Sequence, residues 1–129
     1  PNASVYLSDD RDTILRKFRR AVTDSDNRIV AADDKPGVTN LLNIYACFRG
    51  CTVAEAERTF EGRGYGEFKT AVGETVADVL APIQAEQRRL LADKAYLADV
   101  LGRGAENAFR TARKTLSKVY RKVGFYRGE

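Results

Sequence analysis

Few side chains of this sequence are suited to catalysis or metal binding. Cys47 and Cys51 are four positions apart, and the chain has no histidine. A structural zinc site takes four Cys or His ligands, so this pair could supply at most half of one. We interpret both cysteines as free thiols and predict no metal site, and nothing in the chain requires an oxidising compartment.

Neighbouring carboxylates are the other candidates for chemistry. The pairs Asp9–Asp10 and Asp33–Asp34 are adjacent in sequence, so their side chains do not converge on one bond, as an acid/base pair must. We interpret them as helix caps and solvated loop residues. Because the chain also lacks histidine, the usual general base for a Ser or Cys nucleophile, no catalytic residue is predicted.

Three glycines alternate with other residues in the segment 62–66. Their spacing matches neither a phosphate-binding P-loop nor a dinucleotide-binding turn after a strand. We therefore predict a conformational role, in which glycine permits positive φ between two helices. Tyr65 and Phe68 are expected to anchor this turn to the core.

Basic residues are concentrated at the carboxyl end of the chain. Residues 1–49 carry eight basic and seven acidic side chains, residues 50–102 carry six and nine, and residues 103–129 carry eight and two. Such a surplus favours polyanions, because each phosphate contact releases counterions, although a solvated helix face has the same composition. A second basic surface is predicted near the amino end, formed by Arg16, Lys17, Arg19 and Arg20.

Three aromatic residues accompany the basic carboxyl end: Tyr120, Phe125 and Tyr126. Aromatic rings beside basic side chains are common in proteins that bind single-stranded or looped RNA, where they stack on bases. The helical spacing of Tyr120 favours a core position, so Phe125 and Tyr126 are the predicted exposed aromatics.

The elements that position these residues are predicted to be helices. The first begins at Asp12, a predicted N-cap, and its apolar residues recur at helical spacing. A surface loop over 23–35 follows, then a helix from Pro36 to Gly50 and a short helix that begins with the Thr52–Glu55 capping box. The apolar residues of the first helix are Ile14, Leu15, Phe18, Ala21 and Val22.

Two long amphipathic helices complete the chain. One starts near Glu67 and contains Pro82, which should bend it or leave one carbonyl without a donor, and the other spans about 95–123. The predicted fold is an all-α bundle of about five helices, with the two long carboxy-terminal helices antiparallel, in one domain covering 1–129. The residues that we expect to point inward from the last helix are Leu97, Val100, Leu101, Ala105, Ala108, Phe109, Ala112, Leu116, Val119, Tyr120 and Val123.

Three motifs, in order, resemble consecutive motifs of bacterial tryptophanyl-tRNA synthetases. They are the segment 12–25, with Asp12-Thr13-Ile14 and Ala21-Val22-Thr23-Asp24-Ser25, the segment 35–45 that begins Lys35-Pro36-Gly37, and the segment 61–69 that begins Glu61-Gly62-Arg63. The resemblance continues through 81–83 and 104–108, so it covers essentially the whole chain. It identifies the chain as similar to the helical region that follows the family's Lys-Met-Ser-Lys-Ser-like loop.

The resemblance implies a function for this region in its parent enzyme. The family's enzymes use ATP, with Mg²⁺, to ligate tryptophan to tRNA(Trp) on a Rossmann-type catalytic domain whose two signatures are absent from this sequence. The part present corresponds to the domain that reaches the tRNA anticodon region, so no catalytic residue is carried over. No segment approaches the roughly 20 apolar residues of a membrane span, and we expect a cytoplasmic protein. Because the family's dimer interface lies mainly in the catalytic half, we expect a homodimeric parent and a monomeric fragment. The predicted phosphate contacts to tRNA are Arg110, Arg113, Lys114, Lys118, Arg121 and Lys122.

Two other interpretations of the sequence stay open. A stand-alone basic helical module could bind RNA by charge and shape. A protein-interaction bundle could carry the same basic end for solubility alone, and it would show no affinity for tRNA above that for an unrelated polyanion.

Overall fold

The computed structural model describes residues 4–125, which form five α-helices and no β-strand. The all-α class and the presence of two long carboxy-terminal helices are therefore confirmed, whereas the antiparallel packing of those two helices stays a prediction. Within residues 4–125 no helix is long and apolar enough to cross a membrane. The helices are α1 (Arg11–Arg19), α2 (Pro36–Arg49), α3 (Val53–Thr59), α4 (Tyr65–Ala92) and α5 (Lys94–Val123).

Local sequence signals set most helix ends. Gly50 ends α2 and Gly124 ends α5, both in the left-handed conformation that favours glycine, as predicted. The capping box of Thr52 and Glu55 starts α3. The predicted N-cap Asp12 is wrong: Asp10 Oδ1 accepts the Thr13 N–H at 2.7 Å, because its backbone is extended, as an N-cap requires.

The hydrophobic core lies entirely in the first of two compact units, Pro1–Ala85. Within residues 4–125, every buried apolar residue falls between Ile14 and Leu80, with Phe60 and Phe68 among the largest that are fully buried. Gly37 fits because the Val22 carbonyl oxygen would lie 2.2 Å from an added Cβ, which leaves room only for hydrogen. The prediction of Val22 as an apolar residue of the first helix is wrong, since α1 ends at Arg19 and Val22 is exposed.

The second unit, Glu86–Glu129, contains α5, and α5 has no buried residue. Phe109 is 65% exposed and Leu101 is 71% exposed, so the prediction that the apolar residues of this helix point into a core of this chain is wrong. The periodicity correctly indicated an amphipathic helix, but periodicity does not specify what covers the apolar side. A helix in solution gains little stability without such packing.

Candidate functional site

Helix α5 presents two opposite surfaces along its length. At about 100° per residue, the six predicted phosphate-binding side chains occupy roughly half of the circumference. Most of the apolar residues, including Leu101, Ala112 and Val119, occupy the other half. The basic half, which we call the basic face of α5, consists of Arg110, Arg113, Lys114, Lys118, Arg121 and Lys122, all exposed.

The basic face is electrostatically uncompensated. Among residues 4–125, none of its six side chains forms an ion pair with a carboxylate. Arg110 only donates a hydrogen bond to Asn107 Oδ1, at 2.6 Å, whereas the neighbouring Arg103 is paired with Asp99 at 2.8 Å. A row of unpaired cations on a rigid helix can contact successive phosphates of a nucleic-acid backbone.

Aromatic side chains next to the basic face are partly accessible. Phe125 is exposed, as predicted, and its ring meets Tyr120 edge-to-face at 5.8 Å between centroids. Tyr120 itself is half-buried, not a core residue. The predicted exposed Tyr126 lies outside the described residues.

A polar cluster around the buried Lys35 ties the loop after α1 to the start of α4. Lys35 is only 7% exposed, and its ammonium contacts Asp26 and lies 3.3 Å from Asp24. The Tyr65 hydroxyl lies 2.6 Å from Asp24 Oδ1 and 3.0 Å from the carbonyl oxygen of Arg28. From the sequence alone these residues were expected only in a surface loop and a turn, because positions 24, 26, 35 and 65 meet only in the folded chain.

The cluster changes the pKa of its members in a consistent way. The hydrogen bond from Lys35 holds the pKa of Asp26 below its usual range, and the hydrogen bond from Tyr65 does the same for Asp24. Burial opposes the charge of Lys35, but its bonds to Asp26 and Asp24 outweigh that effect and raise the pKa of Lys35. Burial, together with Asp24, raises the pKa of Tyr65 to about 12.

We expect the free energy of unfolding to be constant near neutral pH and to fall above pH 10. Tyr65 ionises near pH 10 in the unfolded chain and at about 12 in the folded one, so the stability it contributes below pH 10 is lost as the pH rises through that interval. Lys35 acts in the same direction. Urea denaturation of the chain from pH 7 to 11 should show a steeper alkaline loss than the same series for Tyr65→Phe.

The matched control for that series is Tyr96→Phe, because the Tyr96 side chain is exposed. Its alkaline slope should equal that of the unsubstituted chain. Equal slopes for the unsubstituted chain and Tyr65→Phe would mean that the ionisation of Tyr65 does not govern alkaline stability.

The glycine-rich turn has the predicted conformational role at one position. Gly62 has φ +75°, whereas Gly64 and Gly66 have no positive φ. Phe68 is fully buried and anchors the turn, as predicted. The amide of Tyr65 at the start of α4 already donates to Asn27 Oδ1 at 2.9 Å, so this turn does not offer that group to a phosphate.

The remaining candidates for chemistry take structural roles. Cys47 is exposed and Cys51 is half-buried, and both are free cysteines. Asp10 caps α1, and Asp9 accepts a hydrogen bond from the Lys17 ammonium at 2.5 Å. Among residues 4–125, no group of three or more His, Cys, Asp or Glu side chains could hold a metal ion.

Comparison with known proteins relates the chain to one group of enzymes. It is 45% identical over 125 residues to the tryptophan–tRNA ligase of Clostridium acetobutylicum, which covers 97% of this chain and 37% of that protein. It is 44% identical over 131 residues to the tryptophan–tRNA ligase of Halalkalibacterium halodurans, covering 98% of this chain and 39% of that protein. The chain is a homologue of the carboxy-terminal region of bacterial tryptophan–tRNA ligases.

The fold agrees with that assignment. A solved tryptophanyl-tRNA synthetase from Mycoplasma pneumoniae superposes with a TM-score of 0.70 and 30% identity, over 97% of this chain and 38% of that one. No family model matches the chain. The chain thus spans little more than a third of the length of these ligases, and the resemblance seen in the sequence motifs is confirmed.

The ATP that the resemblance implies for the parent enzyme has no fitting site among the described residues. In the glycine-rich turn at 62–66, the helix-starting amide of Tyr65 already donates to Asn27, and the glycine spacing is not that of a phosphate loop.

Proposed function

We propose that this chain is the tRNA-binding helical region of a tryptophan–tRNA ligase, whose parent enzyme ligates tryptophan to tRNA(Trp) with ATP and Mg²⁺. The observation that carries the proposal is the basic face of α5, six exposed cations without carboxylate partners among residues 4–125. The homology to tryptophan–tRNA ligases supports tRNA over other polyanions as the ligand. The basic face would contact phosphates near the anticodon region, while residues elsewhere read the bases.

We further propose that the apolar side of α5 packs on the part of the ligase that this chain lacks. The helix has 30 residues and none is buried within this chain, although its apolar side carries large side chains such as Phe109 and Leu116. A helix with that pattern requires a packing partner for stability. The catalytic part of the ligase, which accounts for most of the length that this chain does not cover, would supply it. The parent would be a homodimer through that part, and the fragment alone a monomer.

Removing two cations from the basic face should weaken tRNA binding by the full-length ligase. For Arg113→Ala combined with Lys114→Ala we expect a loss of about tenfold in affinity for each phosphate contact removed. The slope of log affinity against log salt should fall by about one per contact, almost independently of tRNA sequence. The measurement is tRNA affinity at several salt concentrations between about 50 and 200 mM, a range in which counterion release dominates binding.

Arg103→Ala is the matched control, since Arg103 lies on the same helix but is already paired with Asp99. It should change affinity and salt slope much less than the double variant. An unchanged affinity and slope in the double variant would show that the basic face does not bind tRNA.

A further inference from the structure

One side chain of α4 holds the segment 5–9, which we call the entry segment, in the first unit. The Gln84 side-chain amide donates to the Leu7 carbonyl oxygen at 2.9 Å and to the Asp9 carbonyl oxygen at 2.8 Å. Both N–H groups of that amide are thereby used. The entry segment belongs to no helix or strand, so its carbonyls lack regular backbone partners, and Gln84 supplies the donors.

Helix α1 also holds the entry segment. The Lys17 ammonium donates to Asp9 Oδ2, both side chains are only 13% exposed, and the same ammonium lies 4.7 Å from the centroid of the Tyr6 ring. Within the segment, the Tyr6 amide donates to Asp9 Oδ2 at 2.8 Å, and the Asp9 amide donates to the Tyr6 carbonyl oxygen at 3.0 Å. A turn that is closed by two hydrogen bonds and fixed to two helices is a stiff connection, unlike a flexible linker.

The entry segment lies on the side of the chain where the rest of the ligase would join it. This chain matches a carboxy-terminal region that makes up 37% and 39% of the length of two relatives, so in them most of the protein precedes that region. A stiff entry segment would fix the preceding catalytic part relative to the first unit. A loose one would let the two parts move independently.

We infer that Gln84 is a positioning residue of the ligase, which fixes the entry segment and thereby the catalytic part relative to the helical region. The inference rests on the proposed function of the chain. One tRNA would be bound by the helical region while its acceptor end reaches the catalytic part, so the relative position of the two parts decides whether that end meets the activated tryptophan. A misplacement of about 1 Å can lower a rate by about 100-fold. Gln84 acts through the entry segment alone, so its loss should lower the rate of transfer and leave tRNA affinity unchanged.

The test measures transfer of tryptophan to tRNA by the full-length ligase that contains this chain. Gln84→Met keeps the length of the side chain and removes both donors, and kcat should fall by about 10- to 100-fold. The KM for tRNA should not change, because no contact with tRNA is removed. Gln84→Lys, whose ammonium can donate to both carbonyls, should retain most of the rate. Activation of tryptophan by ATP without tRNA should be equal in all variants, because that step takes place within the catalytic part.

Gln87→Met is the matched control, because Gln87 is exposed and lies three positions further along α4. It should leave kcat for transfer unchanged.

The outcomes separate this inference from the proposed function. Normal transfer by Gln84→Met, with weakened tRNA binding by the Arg113 and Lys114 double variant, would overturn the positioning role and retain the proposed function. A full-length protein that transfers no tryptophan to tRNA would overturn both. Equal losses of activation and transfer in Gln84→Met, or a loss in Gln84→Lys as large as in Gln84→Met, would also overturn the positioning role, because the two hydrogen bonds would then not set the rate of transfer.

Discussion

Replacing Phe68 by alanine should lower the free energy of unfolding of this chain by about 3–5 kcal/mol. Phe68 is fully buried, and its ring meets that of Phe60 edge-to-face at 4.8 Å. Phe60 in turn meets Tyr45 at the same distance, so the three rings connect α2, the end of α3 and α4. Truncation removes the buried ring and leaves a cavity that the two neighbouring rings cannot fill without leaving their own positions.

Urea denaturation, followed by a signal from the first unit, measures this effect. Phe109→Ala in the same chain is the matched control, because its ring is 65% exposed, and we expect a change within about 0.5 kcal/mol. A loss below about 1 kcal/mol for Phe68→Ala, well under the usual range for a buried ring, would contradict the central role assigned to this aromatic contact.

The same Phe109→Ala substitution should have a large effect in the full-length ligase. If the apolar side of α5 packs on the catalytic part, Phe109 is buried there, and its truncation should cost about 3–5 kcal/mol. The comparison between the isolated chain and the full-length enzyme is the measurement, because the substitution is identical and only the proposed partner differs.

Lys118→Ala is the control for surface effects in that comparison, because Lys118 belongs to the opposite, basic face of α5 and is exposed. It should change stability within about 0.5 kcal/mol in both proteins. A small effect of Phe109→Ala in both proteins would mean that the catalytic part does not cover this side of α5.

Helix ends were the part of the structure that the sequence predicted best. The signals that predicted them act through backbone preferences or through neighbours within a few residues, so they mark a helix end without help from the rest of the fold. These signals are Pro36, Gly50, the Thr52–Glu55 capping box and Gly124. The N-cap of α1 was misplaced by two residues, because Asp10 and Asp12 are both suitable side chains and only backbone geometry chooses between them.

The site residues divide in the same way. The basic face of α5 could be listed from the sequence because helical periodicity places its six cations on one half of the helix. The polar cluster around Lys35 could not be listed from the sequence, since Lys35 and Tyr65 are thirty residues apart. Their proximity depends on how the loop after α1 packs against α3 and α4.

The sequence by itself determined the helical class, the amphipathic pattern of each helix, the location of surplus positive charge and the homology to a ligase region. Those properties follow from short-range backbone preferences, from periodicity and from the order of residues. Only the tertiary structure decided which apolar sides become core, because burial is a property of two surfaces together: Phe60 at the end of α3 packs on Phe68 of α4, whereas no residue among 4–125 buries Phe109. Tertiary packing likewise made Lys35 a buried cation, because only the fold brings Asp24, Asp26 and Tyr65 around it.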